Sequence, residues 1–304
     1  MSLNAAMLWG LLPIALKEII SGMDAATIVW YRFLVAAIVL TVFLWARKGL
    51  PDLRGRPRKT LWLLLIAGLS LCANYVLFSS SLSFLNAESS EALIQLTTLF
   101  LLLGGVAFYA EPFYLAQRLG ALLIVVGLVL FFNDRWSQFL AADSQFLLGV
   151  LIVVLAAVTW VIYALLQKLL LRSFSSVQIL LMIYLLCLVV LLPLISPLSL
   201  FALSPLQLGL LLFCCLNTLA AYGTFAEAMV HWHASKVSAV LALAPLFTIG
   251  GLKLLVWLNP AYPHTDHLNL LAVLAALMLV AGSIAVALVP LFTQRKIDPL
   301  VKLP

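Results

Sequence analysis

Charge is what this chain of 304 residues has least of. Asp, Glu, Lys and Arg make up 9% of it, hydrophobic residues 65%, and mean hydropathy is +1.19. A soluble domain carries about 25% charged residues, so a water-soluble fold is excluded. The polar connections between apolar runs are all short, which leaves no room for an appended soluble domain. The four cysteines, Cys72, Cys187, Cys214 and Cys215, fall inside apolar runs and read as small packing residues, not as a disulfide framework. Histidine is confined to His231-Trp232-His233 and His264-Thr265-Asp266-His267, with no further ligand set at metal-binding spacing, so neither a metal nor another cofactor is expected. A GxxxxGK[ST] phosphate loop is missing, which argues against direct ATP-driven pumping. The N-terminus has no basic stretch or small-residue cleavage site, so the first apolar segment reads as a retained helix, not a signal peptide.

What is present is apolar length. Runs of about 17–25 residues recur along the chain, the length a helix needs to cross a bilayer, and they lack the alternation of a membrane β-barrel. Ten spans are expected: 4–20, 25–46, 60–82, 88–109, 113–132, 147–167, 177–195, 206–229, 236–258 and 269–292. With both termini cytoplasmic, thirteen of the seventeen Lys and Arg residues fall on the cytoplasmic side and two, Lys17 and Arg135, opposite, while Arg32 and Lys253 lie within spans. This asymmetry follows the positive-inside rule and would be lost if a span were missed. It also assigns the net charge of +6 to membrane orientation instead of a nucleic-acid partner. The basic stretch Arg54–Lys59 suits a loop that meets anionic lipid.

The chain also repeats itself. Ala5-Ala6-Met7-Leu8-Trp9 leading to Lys17 matches Ala156-Ala157-Val158-Thr159-Trp160 leading to Lys168 at an offset of 151. Tyr75, Phe78, Ala87, Ala92, Leu96, Phe100 and Gly104 recur at an offset of 147, and Ala121 and Gly127 at 155. A repeat of five helices, an odd number, must enter the membrane inverted the second time. Inverted repeats with a midplane site between them are the architecture of many secondary transporters. The expected fold is therefore an all-α polytopic membrane protein of ten transmembrane helices in two inverted five-helix repeats: residues 1–132, an external connection 133–146, and 147–304.

At this point the residues resemble a family. Trp9-Gly10 with Pro13 and Lys17, Arg32 followed by Phe33-Leu34-Val35-Ala36, Glu111 with Gln117 and Gly120 through Gly127, and Ala244-Pro245-Leu246-Phe247 resemble the motifs of the drug/metabolite transporter superfamily, in its bacterial ten-helix EamA-type branch. The second copy departs from the pattern in having no glutamate to match Glu111. The resemblance implies a multi-pass protein of the bacterial inner membrane that moves a small molecule. The leading expectation is a secondary or facilitative transporter, not an enzyme, that exports a metabolite such as an amino acid by alternating access. The alternative is a multidrug or toxic-compound exporter of the same fold. The expected partners are a small-molecule substrate and the bilayer, with protons as a candidate coupling ion.

Polar residues inside spans face a bundle interior or a wet cavity. Glu88, Glu91, Gln95 and Thr98 lie at i, i+3, i+7 and i+10, on one face of the fourth span. Glu88, capped by Asn86, reads as a helix-end charge, whereas Glu91 is the coupling candidate and Gln95 a substrate contact. The repeat-related pairs Trp9 with Trp160 and Tyr75 with Tyr222, together with Asn74 and Tyr163, complete the expected substrate site. Glu227 is expected to pair with Lys236, and Arg32 to snorkel outward or meet an acid.

Overall fold

The computed structural model describes the backbone of residues 1–110, 112–140, 144–231, 234–266 and 268–297, and side chains there except at 140, 222, 225–227, 229–231, 234–236, 238 and 289–297. The described residues form thirteen α-helices: α1 (Ser2–Ile19), α2 (Ala25–Ala46), α3 (Arg58–Ser81), α4 (Ala87–Ile94), α5 (Leu96–Tyr109), α6 (Leu115–Phe131), α7 (Trp136–Leu140), α8 (Ser144–Leu170), α9 (Ser176–Leu191), α10 (Pro205–His231), α11 (Ala234–Leu241), α12 (Ala244–Leu258) and α13 (Leu270–Ile297).

Seven helical segments are long and apolar enough to cross a membrane, with α4 and α5 counted as one, and an eighth is added if α6 and the helical turns after it, bent by 50°, form one span. Helix α1 carries Lys17 and Glu18 within its 18 residues, and α10 presents a shorter apolar stretch, Pro205–Ala221; neither is among the seven. Large apolar side chains point outward, including Phe108 at 78% and Trp257 at 76% exposure. In water such surfaces would aggregate, but they suit a hydrocarbon solvent. The protein is an all-α polytopic membrane protein.

Local sequence explains the helix ends. Asp24 caps α2, accepting the Thr27 amide at 2.9 Å and the Thr27 hydroxyl at 2.7 Å. Ser175 with Gln178 forms a reciprocal capping box at the start of α9, and Ser204 with Gln207 does the same ahead of α10. Helix α5 stops on Ala110 in the left-handed region, φ 51°, a position glycine usually fills.

Two helices expected to be continuous are interrupted. The fourth expected span breaks at Gln95, where the Gln95 amide reaches back only to the Ala92 carbonyl and the Thr98 amide only to Gln95. Backbone bonds three residues apart tighten the helix locally toward 3-10 geometry. The ninth expected span breaks at residues 242–243, and the 147-residue offset places the counterpart of Gln95 at Ala242. Helix α7 was not foreseen within the 133–146 connection.

Helix packing follows an exchange rule. Helix α3 packs on α8 and α1 on α10; α5 packs on α8 and α1 on α12; α2 pairs with α9 and α6 with α13. Each pairing goes into another, or into itself, when the first and second sets of helices are swapped. The α6–α13 crossing is close on both sides. A Cβ on Gly120 would stand 2.8 Å from the Gly282 carbonyl oxygen, and one on Gly282 would stand 2.6 Å from that of Gly120. A Cβ on Gly127 would meet the Leu279 amide nitrogen at 3.0 Å. Only glycine lets the two backbones meet this closely.

Candidate functional site

The end of the bundle away from the α1 N-terminus, here the distal end, is closed by polar bonds. Asp266, in the connection between α12 and α13, pairs with Arg135 at 2.5 Å. Asp266 also accepts the Asn86 amide at 2.8 Å, and the amide and hydroxyl of Ser89 at 3.1 and 2.5 Å. It thus takes over the capping of α4. Asn86 stands at the N-cap position with no capping bond of its own and donates to Asp266 instead, which corrects the expected role of its side chain. Glu88 is 3% exposed and accepts the Thr265 hydroxyl at 2.7 Å and the Asp266 amide at 3.2 Å, while its second oxygen is buried without a hydrogen bond. It is a buried tie to the 265–266 segment and not a free helix-end charge.

More bonds complete this rim. Arg135 donates to Ser89 Oγ at 2.9 Å, and Lys17 donates to the Leu82 and Leu85 carbonyls at 2.6 and 2.9 Å. The Tyr262 hydroxyl donates to Glu18 at 2.5 Å. Burial, together with that bond, pushes the Tyr262 phenol above the usual tyrosine range, so it stays a donor throughout the physiological range. Asn133 and Asn269 exchange side-chain bonds of 3.3 and 2.7 Å.

Beneath the rim the expected site residues divide. Glu91 is 6% exposed, and among the described residues no hydrogen bond or ion pair reaches its carboxyl. One turn further in, Gln95 occupies the helix break, and its Oε1 accepts the Ser283 hydroxyl of α13 at 3.2 Å. Trp9 is half-buried beside Gly10, where α1 crosses the start of α12 and the Thr248 hydroxyl donates to the Gly10 carbonyl at 2.6 Å.

Tyr75, Trp160 and Tyr163 belong to a separate aromatic group between α2, α3, α8 and α9. Phe33 is at its centre, 4.9 Å from the stacked Tyr184 ring and 4.8 Å from Tyr75. Tyr163 is 3% and Tyr184 1% exposed, so these two rings are packed, while Tyr75 and Trp160 are half-buried. Asn74 spends its amide on the Ala156 carbonyl at 2.8 Å, tying α3 to α8. The Tyr222 side chain lies outside the described residues, as do those of Glu227 and Lys236, with Glu111, His233 and His267.

Arg32 overturns its expectation. It does not snorkel, and among the described residues it meets no acid: it is 3% exposed, its Nε donates to Thr218 Oγ1 of α10 at 3.1 Å, and its guanidinium lies 4.9 Å from the Tyr75 ring centre. Sequence reasoning did not foresee this burial because α2 is apolar nearly all round, which hides the direction in which one polar residue points.

Bundle, broken helices and buried polar interior are those of a polytopic membrane protein, and its class is that of a membrane transporter by family. The sequence pattern of the EamA-like transporter family matches residues 1–133 and 147–288, and the chain belongs to that family. It is 42% identical over 287 residues to a protein of Haemophilus influenzae named "Uncharacterized transporter", covering 94% of this chain and 93% of that one. It is also 42% identical over 285 residues to the "Uncharacterized inner membrane transporter YhbE" of Escherichia coli, covering 93% and 88%. A solved crystal structure shares the fold with a TM-score of 0.57 at 19% identity, over 94% of this chain and 95% of that one.

Proposed function

We propose that this protein is a secondary or facilitative transporter of the bacterial inner membrane that exports a small metabolite such as an amino acid by alternating access. In this reading α1 and α10 are spans as well, giving ten transmembrane helices in two inverted repeats with both termini cytoplasmic. The distal rim is then the external face. The observation that carries the reading is the exchange symmetry of the helix pairs, with a helix break at Gln95 and its counterpart at 242–243. Interrupted helices at equivalent depths in two inverted halves are where transporters place their sites. The inner-membrane assignment leans on the name of the Escherichia coli relative.

The rim ties α4 and the Arg135 segment to the 262–266 segment, as an external gate in its closed state would. Beneath it, Glu91 is the proposed coupling residue: a buried carboxyl with no partner among the described residues, at membrane depth, can exchange a proton with a path that opens to either side. The packed state of Tyr163 and Tyr184 favours a metabolite over the broad aromatic chamber of a drug exporter.

The test is flux. Protein reconstituted into liposomes, assayed with a panel of labelled amino acids with and without a pH gradient, should move at least one compound faster than empty vesicles. Rates equal to those of empty vesicles across the panel and for cationic dyes would overturn the transporter reading.

A further inference from the structure

We infer that Arg32 is the receptor for a single negative charge on the substrate, a carboxylate, held in the bundle beneath the distal rim. The inference rests on the transporter reading above and adds the substrate's chemistry. Arg32 is seven residues into α2, about 10 Å from the distal end at 1.5 Å per residue, a depth near that of Gln95 on its own helix. A guanidinium cannot shed its proton in a protein, so an arginine this deep carries its full charge, at a cost of several kcal/mol unless that charge is answered.

Inside the protein it is barely answered. Among the described residues its only hydrogen bond is the one from Nε to Thr218. Thr218 in turn donates to the Cys214 carbonyl at 2.9 Å, so the hydroxyl is fixed as an acceptor toward Arg32. The Tyr75 ring supplies a cation–π contact on one face of the guanidinium. The titratable groups that feel its charge are Tyr184, Cys214 and Cys215, all ordinarily neutral at pH 7. No Asp or Glu is paired with it among the described residues.

Among the described residues, the four N–H groups of the two terminal nitrogens have no acceptor. They form the fork that binds a carboxylate with two parallel hydrogen bonds. Thr218 and Tyr75 hold the guanidinium from behind and from one face, as a preset receptor requires. One guanidinium balances one charge, and no second cation among the described residues joins it. A phosphate dianion would remain under-neutralised, which selects a monocarboxylate.

The experiment measures thermal unfolding of the detergent-purified protein, with apparent Kd taken from the concentration dependence of the midpoint. The probes are neutral amino acids, their matched carboxamides, inorganic phosphate and chloride. Acids should raise the midpoint of the wild type and carboxamides should not. In folded protein, Arg32→Lys should weaken binding by about tenfold or more, since it keeps the charge and loses the fork. Thr218→Val, which leaves the guanidinium in place, should weaken it less.

Equal stabilisation by acid and amide, an unchanged Kd in folded Arg32→Lys, stabilisation by phosphate or chloride alone, or no stabilisation by any acid would each overturn the inference. The acid–amide comparison on wild-type protein needs no variant to fold. Vesicles that carry only neutral or cationic compounds would sink the carboxylate site and leave the transporter standing. Acid-selective stabilisation without any flux would do the reverse.

Discussion

At the distal rim Asp266 is met by Arg135, by Asn86 and by both the amide and hydroxyl of Ser89, whereas beneath it, among the described residues, the buried Glu91 carboxyl meets no partner and Arg32 meets one neutral hydroxyl and one ring face. The two regions share chemistry and differ in satisfaction. Charges that hold a structure together are answered within it, because an unanswered buried charge costs stability. Charges left open at that cost are available to something that comes and goes.

Substitutions that treat the two regions alike can break this comparison. The largest effect belongs to the rim: Asp266→Ala leaves Arg135, Asn86 and the Ser89 amide without their acceptor and should lower stability by about 3–5 kcal/mol, read as a fall in the thermal midpoint. A midpoint shift no larger than that of an exposed surface substitution would mean the rim is not a structural closure. Next comes the glycine crossing. Gly120→Ala pushes a methyl against the Gly282 carbonyl, a backbone atom that cannot turn aside, and should cost about 2 kcal/mol. Wild-type stability in that variant would show that α6 and α13 are not locked together. The smallest effect on stability is expected inside. Glu91→Gln breaks no bond among the described residues and should shift the midpoint less than either substitution above, while flux in proteoliposomes loses its dependence on the pH gradient. A large loss of stability, or unchanged gradient dependence, would remove Glu91 from the coupling role.

Much of the fold was legible because apolar runs and their punctuation are local signals. The expected second span, 25–46, is α2 residue for residue, and the Ser-x-x-Gln boxes at Ser175 and Ser204 could be read directly. The break at Gln95 was not legible, since glutamine is a good helix former. The rim was illegible for a different reason. Arg135 and Asp266 are far apart in sequence, and nothing in either loop reveals that the chain brings them together. Among the expected site residues, the burial of Glu91 and Gln95 follows from the cost of polarity in lipid, the contacts of Asn74 with α8 and of Tyr163 with its ring neighbours are long-range and left no local trace, and the burial of Arg32 was missed because the argument for snorkelling assumes a helix face turned to the lipid.

The glycine crossing also decides which bonds a gate would have to break. With Gly120 against Gly282 and Gly127 against Leu279, α6 and α13 touch along their backbones and behave as one post. Arg135 follows that post and Asp266 precedes it, with Asn133 and Asn269 bonded at its foot, so the ion pair belongs to the keeper and not to the bolt. The bolt is α4. Any opening that leaves the post whole must pull Asn86, Glu88 and Ser89 off Thr265, Asp266 and Arg135, and Glu91, one turn below on the same helix, travels with them.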